Sequence, residues 1–84
     1  VDIAGVAELA RGAGATLVVD NVFATPLFQR PLELGADCVV YSATKHVDGQ
    51  GRCLGGVVLA SQKFIADHIQ VFLRQTGPAI SPFN

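Results

Sequence analysis

The sequence has few cysteines, few charges and no long apolar run. Its 84 residues include two cysteines, Cys38 and Cys53, which are too few for a disulfide framework and lack the spacing of metal ligands. No apolar run approaches the roughly 18 residues that a membrane-spanning helix requires. The six Lys and Arg residues are scattered singly and the net charge is −1, which argues against a nucleic-acid partner. We therefore predict a cytoplasmic protein that binds neither a membrane nor nucleic acid.

The chain also contains no methionine and begins at Val1. Half of its residues are apolar and 15% are charged. That composition is closer to the interior of a large α/β protein than to a small independent domain. We therefore expect residues 1–84 to be an excerpt of a longer chain.

Apolar periodicity predicts both helices and strands. Apolar residues near the N-terminus keep the 3.6-residue period of a helix, which Asp2 caps and Gly12 ends. A second long helix is predicted between Ser61 and Gly77. Short runs rich in β-branched residues predict strands at residues 15–19, 38–41 and 55–59. This pattern predicts an α/β fold with a mostly parallel sheet and flanking helices.

The segments between these elements predict connections. Residues 25–31 are expected to form a connection, followed by a helical turn at residues 31–34 that Gly35 ends. Residues 45–54 predict a glycine-rich loop. The strand at residues 15–19 is expected to be buried on both faces because its apolar run is continuous.

Polar side chains follow two of the predicted strands. Asp20 follows the first of them, and Ser42, Thr44 and Lys45 follow the second. Ligands of open α/β sheets bind beyond the carboxyl ends of the strands. If the two strands are neighbours, an acid, two hydroxyls and an amine therefore share one edge of the sheet.

Each of these residues has a structural and a functional interpretation. Asp20 suits a turn, but its charge at about 4 Å from a cationic ring nitrogen would contribute about 4 kcal/mol, or roughly three pKa units. Ser42 and Thr44 suit a cap, but an extended chain would place both hydroxyls on one face as a phosphate site. Lys45 suits a solvated strand end, but a desolvated amine can attack a carbonyl carbon.

Four motifs follow one another along nearly the whole chain. They are Asp20-Asn21-Val22-Phe23-Ala24-Thr25-Pro26, Ser42-Ala43-Thr44-Lys45, Gly55-Gly56, and Thr76-Gly77-Pro78 with the following Ser81-Pro82-Phe83-Asn84. In content and order they resemble the pyridoxal-phosphate (PLP)-dependent trans-sulfuration enzymes of cysteine and methionine metabolism. The resemblance implies part of the PLP-binding large domain of a fold-type-I transferase over residues 1–84.

The resemblance also implies a role for each residue at the predicted edge. Lys45 would hold the cofactor pyridoxal 5'-phosphate as a Schiff base and move protons during catalysis. Asp20 would pair with the pyridinium nitrogen, and Ser42 and Thr44 would bind the phosphate. The family builds its site at a dimer interface within a dimer of dimers. Other site residues lie outside this chain, so we expect residues 1–84 alone to be inactive.

The loop Asp48-Gly49-Gln50-Gly51-Arg52 resembles one branch of this family, the O-succinylhomoserine sulfhydrylases. This branch implies replacement of the γ-substituent of an O-acylated homoserine by a sulfur nucleophile, giving homocysteine in methionine biosynthesis. Cystathionine γ-synthase and cystathionine or methionine γ-lyase are the alternatives within the family. A non-catalytic α/β interaction module, with Lys45 and Asp20 as ordinary residues, is the alternative from another class. The residue after the lysine is His46, and the sequence offers no mechanistic role for it.

Overall fold

The computed structural model of the protein describes residues 1–83; Asn84, the last residue of the fourth motif, lies outside the described residues. The helices are Ile3–Gly12 (α1), Thr25–Phe28 (α2), Gln62–Phe64 (α3) and Gln70–Thr76 (α4). The strands are Val18–Asp20 (β1), Cys38–Ser42 (β2) and Gly56–Ala60 (β3). A 3-10 turn occupies Pro31–Leu34, and wider π-helical turns occupy Ala43–Val47 and Ile65–Ile69.

Both predicted long helices begin at their predicted caps. The Asp2 carboxylate accepts a hydrogen bond from Gly5 N at 3.0 Å, and Ser61 Oγ accepts one from Phe64 N at 3.1 Å. From Ser61 the chain stays helical through α3, the π-helical turn and α4, until Gly77 ends it with a φ of 69°. Within residues 1–83, no helix is long and apolar enough to cross a bilayer.

The three strands form one mixed sheet in the order β1-β2-β3. β1 pairs with β2 in parallel, with Val18 opposite Cys38, whereas β2 pairs with β3 antiparallel, with Ser42 opposite Gly56. The connection between β1 and β2 contains α2 and the 3-10 turn, which return the chain to the starting end of the sheet, as a parallel pair requires. Because no such crossover separates β2 from β3, their pairing departs from the predicted parallel arrangement.

The buried apolar residues of the described chain come from α1, from the segment after the 3-10 turn (Ala36) and from β2. Ile3 and Ala7 of α1 are buried, as are Cys38 and Val39 of β2. The buried Cys38 packs as a small apolar side chain. Gly35 lies against α1, and a Cβ added to it would be 2.9 Å from Ala7 Cβ.

The prediction for the first strand is wrong in its start and its burial. Regular pairing begins at Val18 rather than residue 15, and Asp20 belongs to the strand. Leu17 N instead donates to the Asp37 side chain at 2.8 Å. Val18 is 54% exposed within residues 1–83, where β1 is the outermost strand of the sheet.

Two predicted connections contain helical structure. The connection at residues 25–31 includes α2, whose first turn carries Pro26, a residue suited to helix starts. The predicted loop at residues 45–54 is preceded and partly occupied by the turn Ala43–Val47. The condition under which both hydroxyls would share one face, an extended chain from Ser42 to Thr44, is therefore not met, since strand pairing ends at Ser42.

Candidate functional site

The carboxyl ends of β1 and β2 lie at the same edge of the sheet. Asp20, the last residue of β1, is the register partner of Val40 in β2. β2 then ends at Ser42, and the turn Ala43–Val47 contains Thr44 and Lys45. The two strands are neighbours, as the sequence argument required, so all four predicted site residues lie at or just beyond one edge.

The Asp20 carboxylate is exposed and held by a local contact. Its Oδ1 accepts a hydrogen bond from Val22 N at 3.1 Å. This is the turn contact expected from its structural interpretation. Within residues 1–83 the second carboxylate oxygen accepts no hydrogen bond, so it is available to a cationic ligand.

The Thr44 hydroxyl joins the turn after β2 to the start of β3. Thr44 Oγ1 accepts a hydrogen bond from Gly55 N at 3.0 Å and lies 3.5 Å from Gly55 O. The second distance is at the limit for a hydrogen bond, so the hydroxyl proton can still be donated to a ligand. A Cβ at Gly55 would lie 3.2 Å from the Ile80 side chain and 3.4 Å from Ala43 Cβ, so little space is left for a side chain there.

Lys45 interrupts the helical turn in which it lies. Its φ of −88° and ψ of −111° are not helical, and the residue is exposed. No carboxylate within residues 1–83 forms an ion pair with its amine. The exposed Lys45 amine is therefore accessible to a ligand carbonyl within the part of the chain that the structure describes.

A cavity of about 200 Å³ opens beside this edge. The residues that line it come from the segment after β1 and from the end of β2 and its turn, namely Val22, Thr25, Pro26, Leu27, Tyr41, Ser42, His46 and Val47. The Phe23 ring lies edge-on to His46, with ring centroids 6.5 Å apart and planes at 69°. Ser42 is thus the predicted site residue with direct access to the cavity.

The loop after Lys45 is organised around Asp48. Its carboxylate accepts hydrogen bonds from Arg52 N at 2.7 Å and Gln50 N at 3.3 Å, and forms an ion pair with the Arg52 guanidinium at 3.2 Å. These contacts, led by the Arg52 backbone bond, hold the pKa of Asp48 below its ordinary value. Gly49 and Gly51 have φ of 75° and 64°, conformations that favour glycine. The side chain of Asp48 is 11% exposed, so it is a structural centre rather than a solvated charge.

Sequence reasoning missed the polar residues behind the edge. Asn21 is 1% exposed and hydrogen-bonds to both Gln29 and Tyr41. Thr25 has a φ of 61°, an uncommon conformation for a β-branched residue. The adjacent Asp-Asn pair at a strand end was the available signal for Asn21, whereas nothing in the sequence pointed to Gln29.

The residues at this edge fit a cofactor that carries a ring nitrogen, a phosphate and a carbonyl. The Asp20 carboxylate can oppose a ring cation, the hydroxyls of Ser42 and Thr44 can donate to phosphate oxygens, and the exposed Lys45 amine can react with a carbonyl. A metal centre lacks comparable support, because no three His, Cys, Asp or Glu side chains cluster within residues 1–83.

Known proteins similar to this chain belong to a family that uses a cofactor of this kind. Residues 1–84 match the family described as Cys/Met metabolism PLP-dependent enzyme. O-succinylhomoserine sulfhydrylase of Mycobacterium tuberculosis is 60% identical over 100% of this chain and 21% of its own length. L-methionine gamma-lyase of Pseudomonas putida is 52% identical over 99% of this chain and 21% of its own length. The crystal structure of apo CalE6, a methionine gamma lyase from Micromonospora echinospora, superimposes with a TM-score of 0.90 and 37% identity, covering 96% of this chain and 22% of that one.

The structural similarity confirms the fold class, since a lyase of this family contains the same α/β arrangement. The chain spans about a fifth of the length of these relatives. The family is PLP-dependent, so its members are enzymes that use pyridoxal 5'-phosphate. Together with the carboxylate, hydroxyls and amine at one sheet edge, the match over residues 1–84 shows that the chain belongs to the Cys/Met metabolism PLP-dependent enzyme family.

Proposed function

We propose that residues 1–84 are the part of a PLP-binding large domain that supplies Lys45, Asp20, Ser42 and Thr44 to the cofactor. The observation that carries this proposal is the parallel pairing of β1 with β2, with Asp20 opposite Val40. This pairing puts an acid at the end of one strand beside the Ser-Ala-Thr-Lys segment at the end of the next. A longer enzyme would complete the site with residues from elsewhere.

Each side chain has a task that its chemistry suits. PLP, when bound, supplies an electron sink for negative charge on the substrate. The Asp20 carboxylate would pair with the ring nitrogen of the cofactor, and the Ser42 and Thr44 hydroxyls would donate hydrogen bonds to its phosphate oxygens. Lys45 Nζ would hold the cofactor through its carbonyl carbon. The free Lys45 Nζ would be the base that accepts the proton from the substrate Cα and returns it to a neighbouring carbon.

The reaction we propose is γ-replacement on O-succinylhomoserine by a sulfur nucleophile, giving homocysteine. The 60% identity to an O-succinylhomoserine sulfhydrylase supports this choice. The Asp48-centred loop supports it as well, because the sequence from Asp48 to Arg52 resembles that branch. The 52% identity to a methionine γ-lyase keeps γ-elimination as the second reaction, with cystathionine γ-synthase activity as a third.

The proposal extends to the substrates, the assembly and the compartment of the whole enzyme. Substrates would be small amino acids, and the enzyme would assemble as a homotetramer built as a dimer of dimers. A cytoplasmic location is consistent with the free thiols of Cys38 and Cys53, since disulfides are typical of oxidising compartments.

Cofactor attachment to Lys45 can be tested by visible absorbance of the full-length enzyme. Wild-type protein reconstituted with PLP should be yellow, whereas Lys45→Ala should lose the visible band that arises when the cofactor joins a lysine amine. Lys63→Ala is the matched control, because Lys63 lies on α3 in an exposed ion pair with Asp67. A colourless wild type would exclude the PLP role and favour a non-catalytic module. A yellow Lys45→Ala with unchanged absorbance would assign the cofactor to another amine.

The reaction itself can be tested by varying the donor and the acceptor. O-succinylhomoserine with sulfide should give homocysteine faster than O-acetylhomoserine does. Preference for cysteine as acceptor would indicate cystathionine γ-synthase instead. Release of an α-keto acid from methionine or cystathionine, without a sulfur acceptor, would indicate a γ-lyase.

A further inference from the structure

Asn21 is the most deeply buried polar residue of the described chain. It is 1% exposed, although it directly follows the exposed Asp20. A buried amide needs hydrogen-bond partners, because an unsatisfied polar group in the interior is costly. The hydrogen-bond partners of Asn21 therefore show which parts of the chain its side chain connects.

The Asn21 side chain forms three hydrogen bonds to two residues. Its Nδ2 donates to Gln29 O at 2.9 Å and to the Tyr41 hydroxyl at 3.1 Å. Its Oδ1 accepts from Gln29 Nε2 at 2.8 Å. Both amide protons are thus used, one toward the end of β2 and one toward the residue that follows α2. We call Asn21, Gln29 and Tyr41 the amide clasp.

The backbone of Asn21 makes two further bonds in the same directions. Asn21 N donates to Val40 O at 3.1 Å, which extends the β1–β2 contact past Asp20. Asn21 O accepts from Thr25 N at 3.0 Å, at the residue whose φ is 61°. An unusual conformation of this kind persists only where surrounding contacts determine it. The clasp therefore fixes residues 22–28 at both ends.

These contacts join the clasp to the predicted site on two sides. Asp20 precedes Asn21 and is bonded to Val22 N within the held segment. Tyr41 precedes Ser42, and both line the cavity of about 200 Å³ together with Thr25. Movement of Asn21 would therefore displace the carboxylate and one wall of the cavity at the same time.

We propose that Asn21 is a positioning residue, which uses Gln29 and Tyr41 to hold the Asp20 carboxylate and the Val22–Phe28 segment in register with Ser42. The proposal rests on the proposed function, because Asp20 needs a ring nitrogen to act on. The proposal goes beyond the four predicted site residues, because it makes the orientation of the Asp20 carboxylate depend on the buried side-chain amide of Asn21.

The test compares Asn21→Ala and Tyr41→Phe with wild type in the full-length enzyme. Both variants should weaken PLP binding to the apoenzyme, Asn21→Ala by about tenfold, equivalent to about 1.4 kcal/mol. Both should also shift the pH dependence of the visible absorbance band, because Asp20 would no longer be aligned with the ring nitrogen. Tyr41→Phe removes one hydroxyl and keeps the ring, so it remains informative if Asn21→Ala fails to fold.

Val39→Ala is the matched control for a purely structural effect. Val39 is also 1% exposed and lies in the same strand as Tyr41, but it takes no part in the clasp. It should lower the thermal unfolding midpoint while leaving PLP affinity and the pH profile unchanged. Clasp variants that behave in the same way as Val39→Ala would overturn the proposal.

A double variant separates the clasp from independent effects. In the Asn21→Ala background, Tyr41→Phe should change PLP affinity by less than about twofold, since its hydrogen-bond donor is already absent. Fully additive losses would overturn the clasp while leaving the proposed function intact. A wild type that binds no PLP would instead refute the proposed function, and the clasp proposal with it.

Discussion

The contact between Gly35 and α1 gives the most direct test of the fold that supports the site. Gly35 ends the 3-10 turn just before β2, and its φ of 104° lies in the region that favours glycine. Replacing it with alanine adds one methyl group at a defined place. That Cβ would lie 2.9 Å from Ala7 Cβ and 3.4 Å from the Arg11 guanidinium.

Two effects of Gly35→Ala oppose folding. A side chain in a left-handed conformation costs about 1–2 kcal/mol. Overpacking against a buried neighbour costs about 1–3 kcal/mol. The Arg11 side chain can move aside, but Ala7 is 4% exposed and is fixed by α1. We therefore expect a loss of about 2–5 kcal/mol in unfolding free energy, a large share of the roughly 5–15 kcal/mol available to a domain.

Thermal and denaturant unfolding of the full-length enzyme measure this loss, with Gly12→Ala as the control. Gly12 is the last residue of α1, its φ is not positive, and an added Cβ meets nothing within 4 Å. The control should therefore be neutral or slightly stabilising. A Gly35→Ala variant as stable as Gly12→Ala would show that the contact of α1 with the turn before β2 is wrong.

Two further predictions concern titratable groups. Because the pKa of Asp48 is lowered in the folded state, its carboxylate stabilises the loop above the ordinary value of 3.8, and this contribution is lost as the pH falls through the lowered pKa. The difference in unfolding midpoint between wild type and Asp48→Asn should thus be constant near neutral pH and shrink below 3.8; a pH-independent difference would contradict this. Burial, aided by the charge of Asp37, raises the pKa of the Cys38 thiol. At neutral pH a thiol reagent should therefore label the half-buried Cys53 before the buried Cys38, as measured by mass spectrometry. Equal labelling of the two cysteines would contradict the packing of β2.

The sequence by itself determined the helix ends and the approximate positions of the strands. The caps at Asp2 and Ser61 and the stop at Gly77 follow from local chemistry, since each acts on neighbours within a few residues. The segments that contain Asp20 and Ser42–Lys45 were recognisable because each is a short continuous run of residues at the end of a predicted strand. Their roles toward PLP remain predictions that the absorbance experiment tests.

The tertiary structure decided what depends on contacts distant in sequence. The antiparallel pairing of β3 and the start of β1 at Val18 depend on partners that local periodicity does not specify. The hydrogen bond from Gly55 N to the Thr44 hydroxyl links residues that are 11 apart in the sequence. The amide clasp could be found only from the structure. Asn21 and Tyr41 come together through the pairing of β1 with β2, and Gln29 reaches Asn21 because α2 lies between them in sequence.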